Sequence, residues 1–403
     1  MSTSASNISA SNRVQALSFN AIFSKMNALA KVHQAVNLGH GFPDYPAPDF
    51  VKAAARQAIA DDRNQYTAAQ GELPLRTAIA ARMQRRYQVD YNPETEVIVT
   101  QGATEAIFAT LMGFVNPGDE VILFEPCYST YKPAIQMVGG IPKFYSFLPP
   151  EWELDSERLE ALFSEKTKVI LVNTPHNPTG KVLSETDLAL IARLCQKYNV
   201  VAISDEVYDE LVYDDAVHRP LCTYPGMYER TITVSTFGKT FSVTGWKVGW
   251  AIAPAALANP ILRMRLYTSG SGTTPVQVAA AEALSAPPQF YQELRTEYTA
   301  LRDTCYQMLK ETGFKPFLPA GTFFLMADFS GFLAAQNLSM NDIDFCQYLT
   351  QTVGVTAIPA STLYHDYLPP DYPMVRFAFC KHRATLLAAQ QRLRQALEPL
   401  TSG

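Results

Sequence analysis

An α/β fold with a mostly parallel sheet is what the sequence predicts, and three observations predict it. Short β-branched runs at 97–100, 121–124, 169–173, 200–205, 231–235 and 248–253 alternate with helical patterns, an order that implies crossover connections between parallel strands. The chain has 403 residues, 47% hydrophobic and 18% charged, enough for two domains or one large and one small, each with its own core. After Ala286-Pro-Pro288 the order changes to a long charged helical pattern followed by strands, which predicts a smaller C-terminal α/β unit.

In chain order, Met1 to Asn12 is rich in Ser, Asn and Ala and reads as a mobile tail. A helical stretch from Ile22 to about Lys31 follows. Two glycines and two prolines within 39–46 then make an irregular loop, with too few glycines for a dinucleotide fingerprint. His33 and His40 are read as structural. An amphipathic helix runs from Phe50 to about Ala60, is interrupted over 64–74, and is followed by another to Tyr87. Beyond the central region come a helix to Thr312, a strand-like run over 321–326, a helix near 341–352, a strand over 374–379 and a last helix ending near Leu397. No internal repeat is visible.

Composition excludes several classes of function. With 33 Lys+Arg against 38 Asp+Glu and no basic block, the net charge of −5 carries no nucleic-acid footprint, so a small substrate is expected. Six cysteines without paired spacing argue against a disulfide framework or a metal site, and for a reducing compartment. No apolar run reaches the roughly 18 residues of a membrane span, and the polar start lacks a charged segment followed by an apolar core. A cytoplasmic location is therefore expected, in which the Asn7 and Asn337 sequons carry no meaning.

Chemistry concentrates at the predicted strand ends. Lys239 lies in a Gly/Ser/Thr-rich turn with Lys247 eight residues on. A lysine held in a partly desolvated turn is enriched in free amine able to attack a carbonyl, although a lone loop lysine is more often simply solvated. G-K-T here is not the end of a P-loop, because Thr233 occupies the required glycine position. Gly102, Ala103 and Thr104 follow a strand and open a helix, where backbone N–H groups can converge on an anion; a capped helix is the plainer reading. Tyr128 could cover a planar heterocycle better than Cys127, with Tyr131 as the alternative. Asn177 stands in the rigid turn N-T-P-H-N-P-T-G over 173–180. Asp205 ends an apolar strand and would be costly to bury without a cation. Arg376, one charge within an apolar strand, calls for an anion, either a substrate carboxylate held bidentate or an internal salt bridge.

These motifs, in order over nearly the whole chain after about residue 15, resemble the class I, fold type I, pyridoxal 5'-phosphate (PLP) aminotransferases. The segments N-L-G-H-G-F-P-D (37–44), N-Q-Y-T (64–67), S-T-F-G-K-T (235–240) and G-W-K-V-G (245–249) most resemble the methionine aminotransferase and kynurenine/glutamine transaminase group. The family's usual Ser three residues before the lysine is Thr236 here. The resemblance implies a seven-stranded, mostly parallel sheet in a large domain over 46–285, with a small domain built from 1–45 and 286–403. It implies that Lys239 holds PLP as a Schiff base and moves the proton in a ping-pong transamination. Gly102, Ala103, Thr104, Thr236 and Lys247 would hold the phosphate, joined by Tyr66 from the partner of a homodimer. Tyr128 would stack on the ring, Asn177 and Tyr208 would bond its phenolic oxygen, and Asp205 its nitrogen. Arg376, Asn177, Gly41 and Phe23 would meet the substrate, and no metal is implied. Methionine or aromatic donors, or glutamine or kynurenine, are expected, while Gly272 and Thr273 in place of bulkier residues would enlarge the pocket. A cysteine-conjugate β-lyase using the same lysine is the rival chemistry. A non-catalytic regulator would need a DNA-binding module, for which the 12-residue polar start offers no room.

Overall fold

The computed structural model describes residues 9–15, 17, 22–365 and 373–397. Of the polar start read as a tail, residues 1–8 lie outside the described residues, and Asn12–Gln15 forms one helical turn.

Seven strands build the central sheet: β1 Val97–Gln101, β2 Glu120–Glu125, β3 Ile141–Ser146, β4 Thr167–Asn173, β5 Val201–Asp205, β6 Thr231–Thr236 and β7 Val248–Ile252. Their order is β1-β7-β6-β5-β4-β2-β3, and only β7 runs antiparallel to its neighbours in this sheet. The sequence predicts six of them within one or two residues. It misses β3, which carries Pro142 and lies at the sheet edge, the place where a proline can sit without costing a ladder hydrogen bond.

Both faces of the sheet are covered, which is why its strands read as unbroken apolar runs. Val121, Leu123, Val169 and Leu171 pack on one side with helices Gly102–Phe114 and Ala255–Thr268. Ile122, Phe124, Ile170 and Val172 pack on the other with helix Glu185–Lys197, whose start is a capping box of Ser184 and Asp187. Helices Leu73–Tyr87 and Thr274–Ala283 cover Val97, Val99, Trp250 and Ile252.

A second, antiparallel sheet of Ile358–Pro359, Met374–Ala378, Phe324–Asp328 and Lys315–Pro316 lies C-terminal to these. Helices Ile22–Val32, Pro288–Glu311 and Arg383–Leu397 share its core through Met26, Tyr298, Met308, Leu386 and Leu393. The N-terminal segment joins this unit directly, because Val36–Asn37 pairs in parallel with Val355–Thr356. The helix expected near 341–352 is Asp342–Tyr348, continued as a π-turn over Leu349–Val353 and ended by Gly354 at φ 80°.

The carboxyl ends of β1, β4, β5 and β6 lie along one edge, where open α/β sheets form their crevices. At that edge β7 passes between β1 and β6, with Gly249 opposite both Thr100 and Thr236. A Cβ on Gly249 would lie 2.4 Å from the Gly102 carbonyl carbon and 2.5 Å from the Ala103 nitrogen, so the helix that begins at Gly102 rests directly on this glycine. Gly249→Ala should therefore push that helix off the sheet at a cost of about 1–3 kcal/mol. A urea unfolding midpoint equal to that of the wild type would contradict this close approach.

Candidate active site

The strand ends open into a cavity of about 400 Å³. Thirteen of the fourteen site residues singled out in the sequence line it: Phe23, Gly41, Gly102, Ala103, Thr104, Tyr128, Asn177, Asp205, Tyr208, Thr236, Lys239, Lys247 and Arg376. Tyr66 does not. It is 94% exposed, and the single chain leaves it outside the cavity.

Asp205, the last residue of β5, forms the cavity floor and is 4% exposed. The Tyr131 hydroxyl donates to its Oδ2 at 2.6 Å and the Val207 N–H to its Oδ1 at 3.3 Å. Burial pushes the carboxyl up to about 6, against the pull of those two donors. Tyr131 is thereby committed to Asp205, whereas Tyr128, one third exposed and edge-on to Tyr131 at 5.6 Å, stands at the cavity wall.

Lys239 sits in the one-turn helix Phe237–Thr240 that follows β6. Its Nζ donates to the Gly41 carbonyl at 3.5 Å and lies 5.0 Å from the Phe323 ring and 5.6 Å from Tyr208. Burial pushes its ammonium down to about 8, and the Arg376 charge adds to the effect. The Thr236 hydroxyl accepts from the Gly238 N–H at 3.3 Å and donates to the Val248 carbonyl at 2.7 Å. Its proton thus goes to β7, and the hydroxyl would have to turn from the Val248 carbonyl to donate to an anion in the cavity.

An anion seat lies at the start of helix Gly102–Phe114. The capped-helix reading holds in part, because the Glu105 carboxylate in the first turn accepts the Gln101 N–H, but the N-cap Gln101 side chain makes no bond to the first-turn N–H groups. Gly102 adopts φ +73°, and a Cβ there would meet Lys247 Nζ at 3.2 Å, so a second positive group faces the same spot.

Arg376 is 3% exposed and forms no ion pair with a carboxylate among the described residues, which removes the internal salt bridge as its explanation. Its Nη1 donates to Asn177 Oδ1 at 3.2 Å and its Nη2 to the Gly39 carbonyl at 3.0 Å, while Nε has no partner. The guanidinium lies 4.0 Å from the Phe324 ring and 5.3 Å from Phe23. Burial lowers its pKa to about 10. Asn177 is aimed by Asn173, whose Oδ1 accepts the Asn177 N–H at 2.8 Å and whose Nδ2 donates to the Asp205 carbonyl at 2.9 Å.

Sequence reasoning missed Tyr131 as the partner of Asp205, Asn173 as the support of Asn177, and Phe324 and Phe42 as walls. Nothing local marks them; their contacts reach across the chain, 74 residues for Tyr131 with Asp205 and 339 for Phe42 with Lys381. His40, read as structural, also lines the cavity, with Nε2 unpartnered. Glu206 is scaffold: it accepts from Ser204 Oγ at 2.8 Å and lies 3.0 Å from His218 Nε2.

An anion seat, a buried carboxylate and a depressed lysine in one cavity define a PLP enzyme, since a phosphate, a protonated pyridine nitrogen and an aldehyde answer these three groups in turn. The chain belongs to the aminotransferase class I and II family, which it matches over residues 33–390, and it is a PLP-dependent transaminase. It is 39% identical to the methionine aminotransferase of Escherichia coli (strain K12) over 374 residues, covering 93% of this chain and 95% of that protein. It is 43% identical to a probable N-succinyldiaminopimelate aminotransferase of Mycobacterium tuberculosis over 382 residues, covering 92% and 95%. The solved structure of an Escherichia coli protein with methionine aminotransferase function superposes with a TM-score of 0.91 at 38% identity, over 96% of this chain and 100% of that one. No helix among the described residues is long and apolar enough to cross a membrane.

The lysine makes the pH behaviour testable. Its folded pKa of about 8 lies below the ordinary 10.5, so between those values the folded cofactor-free protein binds fewer protons than the unfolded chain. Its unfavourable contribution is present in full below about pH 8 and is relieved as pH rises toward 10.5. Limited acetylation of the cofactor-free protein, followed on the peptide carrying Lys239, should titrate with a midpoint near pH 8, and a midpoint near 10.5 would contradict the burial argument.

Proposed function

We propose that the chain transfers the amino group of methionine or an aromatic L-amino acid to a 2-oxo acid, both substrates using one site in turn. The observation that carries this reading is Arg376, a sealed guanidinium with no carboxylate of its own and an unpartnered Nε, facing the same cavity as Lys239. A substrate α-carboxylate supplies the missing anion in bidentate geometry. Phe23, Phe42 and Phe324 surround the position with apolar area suited to a thioether or an aromatic side chain.

In this reading Gly102, Ala103, Thr104, Thr236 and Lys247 hold the cofactor phosphate, Tyr128 covers its ring, and Asn177 and Tyr208 face its phenolic oxygen. Bound there, PLP supplies an aldehyde for the amino group and an electron-withdrawing ring. Asp205 keeps a proton on the ring nitrogen, because its buried carboxylate gains more from a cation than from water. Arg376 and Asn177 would fix the substrate carboxylate, with Gly41 and Phe23 beside it in the same cavity, a hold that would orient the Cα–H bond for proton removal. Lys239, whose amine is freed more readily than an ordinary lysine's because burial lowers its pKa to about 8, would take that proton at Nζ and deliver it to the carbon of the cofactor's aldehyde group.

The same reading divides the chain into residues 1–45, 46–285 and 286–403, the first and last forming the small domain. It places the protein in the cytoplasm as a homodimer, in which the partner's copy of exposed Tyr66 completes the phosphate seat.

A half-reaction screen across amino donors tests the substrate. Methionine and aromatic donors should exceed aspartate by about tenfold or more in kcat/KM, a difference of roughly 1.4 kcal/mol that apolar contacts can provide. Turnover with aspartate alone would overturn the assignment, and pyruvate release from a cysteine conjugate without an oxo acid would point to β-lyase chemistry. Lys239→Ala should lower kcat by roughly 10²–10⁴-fold, the span of a positioned acid–base group; undiminished kcat would remove the lysine from the chemistry.

A further inference from the structure

Residues 39–42 offer four successive carbonyl oxygens, and each accepts a hydrogen bond from a cationic side chain. Gly39 accepts from Arg376 Nη2 at 3.0 Å, His40 from Lys381 Nζ at 3.1 Å, Gly41 from Lys239 Nζ at 3.5 Å and Phe42 from Lys381 Nζ at 2.8 Å. The partners alternate. The loop bends at Gly39, His40 and Phe42, so the alternation is held by these hydrogen bonds themselves: with the two even-numbered oxygens fixed on Lys381, the two odd-numbered ones stay turned toward Arg376 and Lys239.

Lys381 has no other visible purpose. It is 3% exposed, forms no ion pair with a carboxylate among the described residues, and lies 4.9 Å from the Phe42 ring. Burying an ammonium without a paired carboxylate is costly, and besides the more distant charge of Asp44 what this one obtains is two oxygens of a single loop. Asp44, the nearby acid, is engaged elsewhere: its carboxylate accepts from the His382 N–H at 2.6 Å and the Thr385 hydroxyl at 2.7 Å. The Ala378 N–H donates to the Leu38 carbonyl at 2.6 Å, so the segment that carries Arg376 is stitched to residues 38–44 along its length. The loop also has no slack toward the core, since a Cβ on Gly41 would lie 2.4 Å from Phe324 Cζ.

We propose that Lys381 is a positioning residue for transamination: by holding the His40 and Phe42 carbonyls it sets the Gly39 and Gly41 carbonyls that aim Arg376 and Lys239. The inference rests on the reading that Arg376 receives the substrate carboxylate. A lysine that merely stabilised the fold would leave ligand affinity unchanged in any variant that folds. One that aims Arg376 governs affinity.

The test uses the holoenzyme with 3-phenylpropanoate, a carboxylate with no amino group to transfer, titrated by calorimetry. Lys381→Met should weaken its binding about tenfold, the effect of misplacing roughly one charge-assisted hydrogen bond, and raise KM for methionine by a similar factor. Lys381→Arg, able to donate to both carbonyls, should stay within about threefold of wild type. Amide hydrogen exchange across 38–44 should quicken in the Met variant and not in the Arg variant. Should Lys381→Met not fold, Lys381→Gln, too short to reach both oxygens, replaces it with the same expectation. Wild-type affinity and wild-type exchange in a folded Met or Gln variant would overturn the proposal. Arg376→Ala is titrated alongside: if it binds 3-phenylpropanoate as wild type does, the carboxylate reading fails, and the exchange of 38–44 alone then decides whether Lys381 holds the loop.

Discussion

Asp205 is a carboxylate sealed at the end of an apolar strand, with one phenol and one peptide N–H for donors. That arrangement leaves its charge undercompensated, and burial raises its pKa to about 6. The rest of the cavity is arranged around the same imbalance. Lys239 loses part of its affinity for a proton and Arg376 is buried without an acid, so three ionisable groups are each kept short of a partner. A bound cofactor and substrate supply what is lacking, and the folding cost of holding these groups apart becomes binding and orientation.

The scaffold holds the groups apart through strand order. Asp205 pairs in register with Asn173 on one side and Val234 on the other, which fixes the floor of the site relative to the Asn177 turn and the Lys239 turn. Gly249 lets the start of helix Gly102–Phe114 settle onto β7. The antiparallel sheet then delivers Arg376 from a strand more than a hundred residues later, and residues 38–41 bond both to that strand and to Lys239.

Much of this was legible in the sequence because the chemistry falls in short, contiguous motifs at strand ends. Lys239, Asp205, Asn177 and Gly102 each sit where an apolar run stops and a turn begins, and the register of parallel strands gathers such points on one edge without further instruction. Arg376 was legible as a charge inside an apolar run. Tyr131, Asn173 and Lys381 were not, because a buried phenol, amide or ammonium acquires its meaning from a partner that the linear pattern does not name. β3 was hidden by Pro142, a strand breaker everywhere except at the edge position it occupies. Tyr66, expected from its motif to reach a partner's phosphate, stays outside the cavity of its own chain, and the single chain gives it no part in the site.

The central claim is that one amine, Lys239, joins the cofactor in the resting enzyme. Borohydride reduction of protein supplied with PLP, followed by digestion and mass mapping, tests it most directly. The account predicts a single pyridoxyl adduct on the peptide bearing Lys239, displaced when methionine is added before the reductant. An adduct on another lysine, or none, would contradict it.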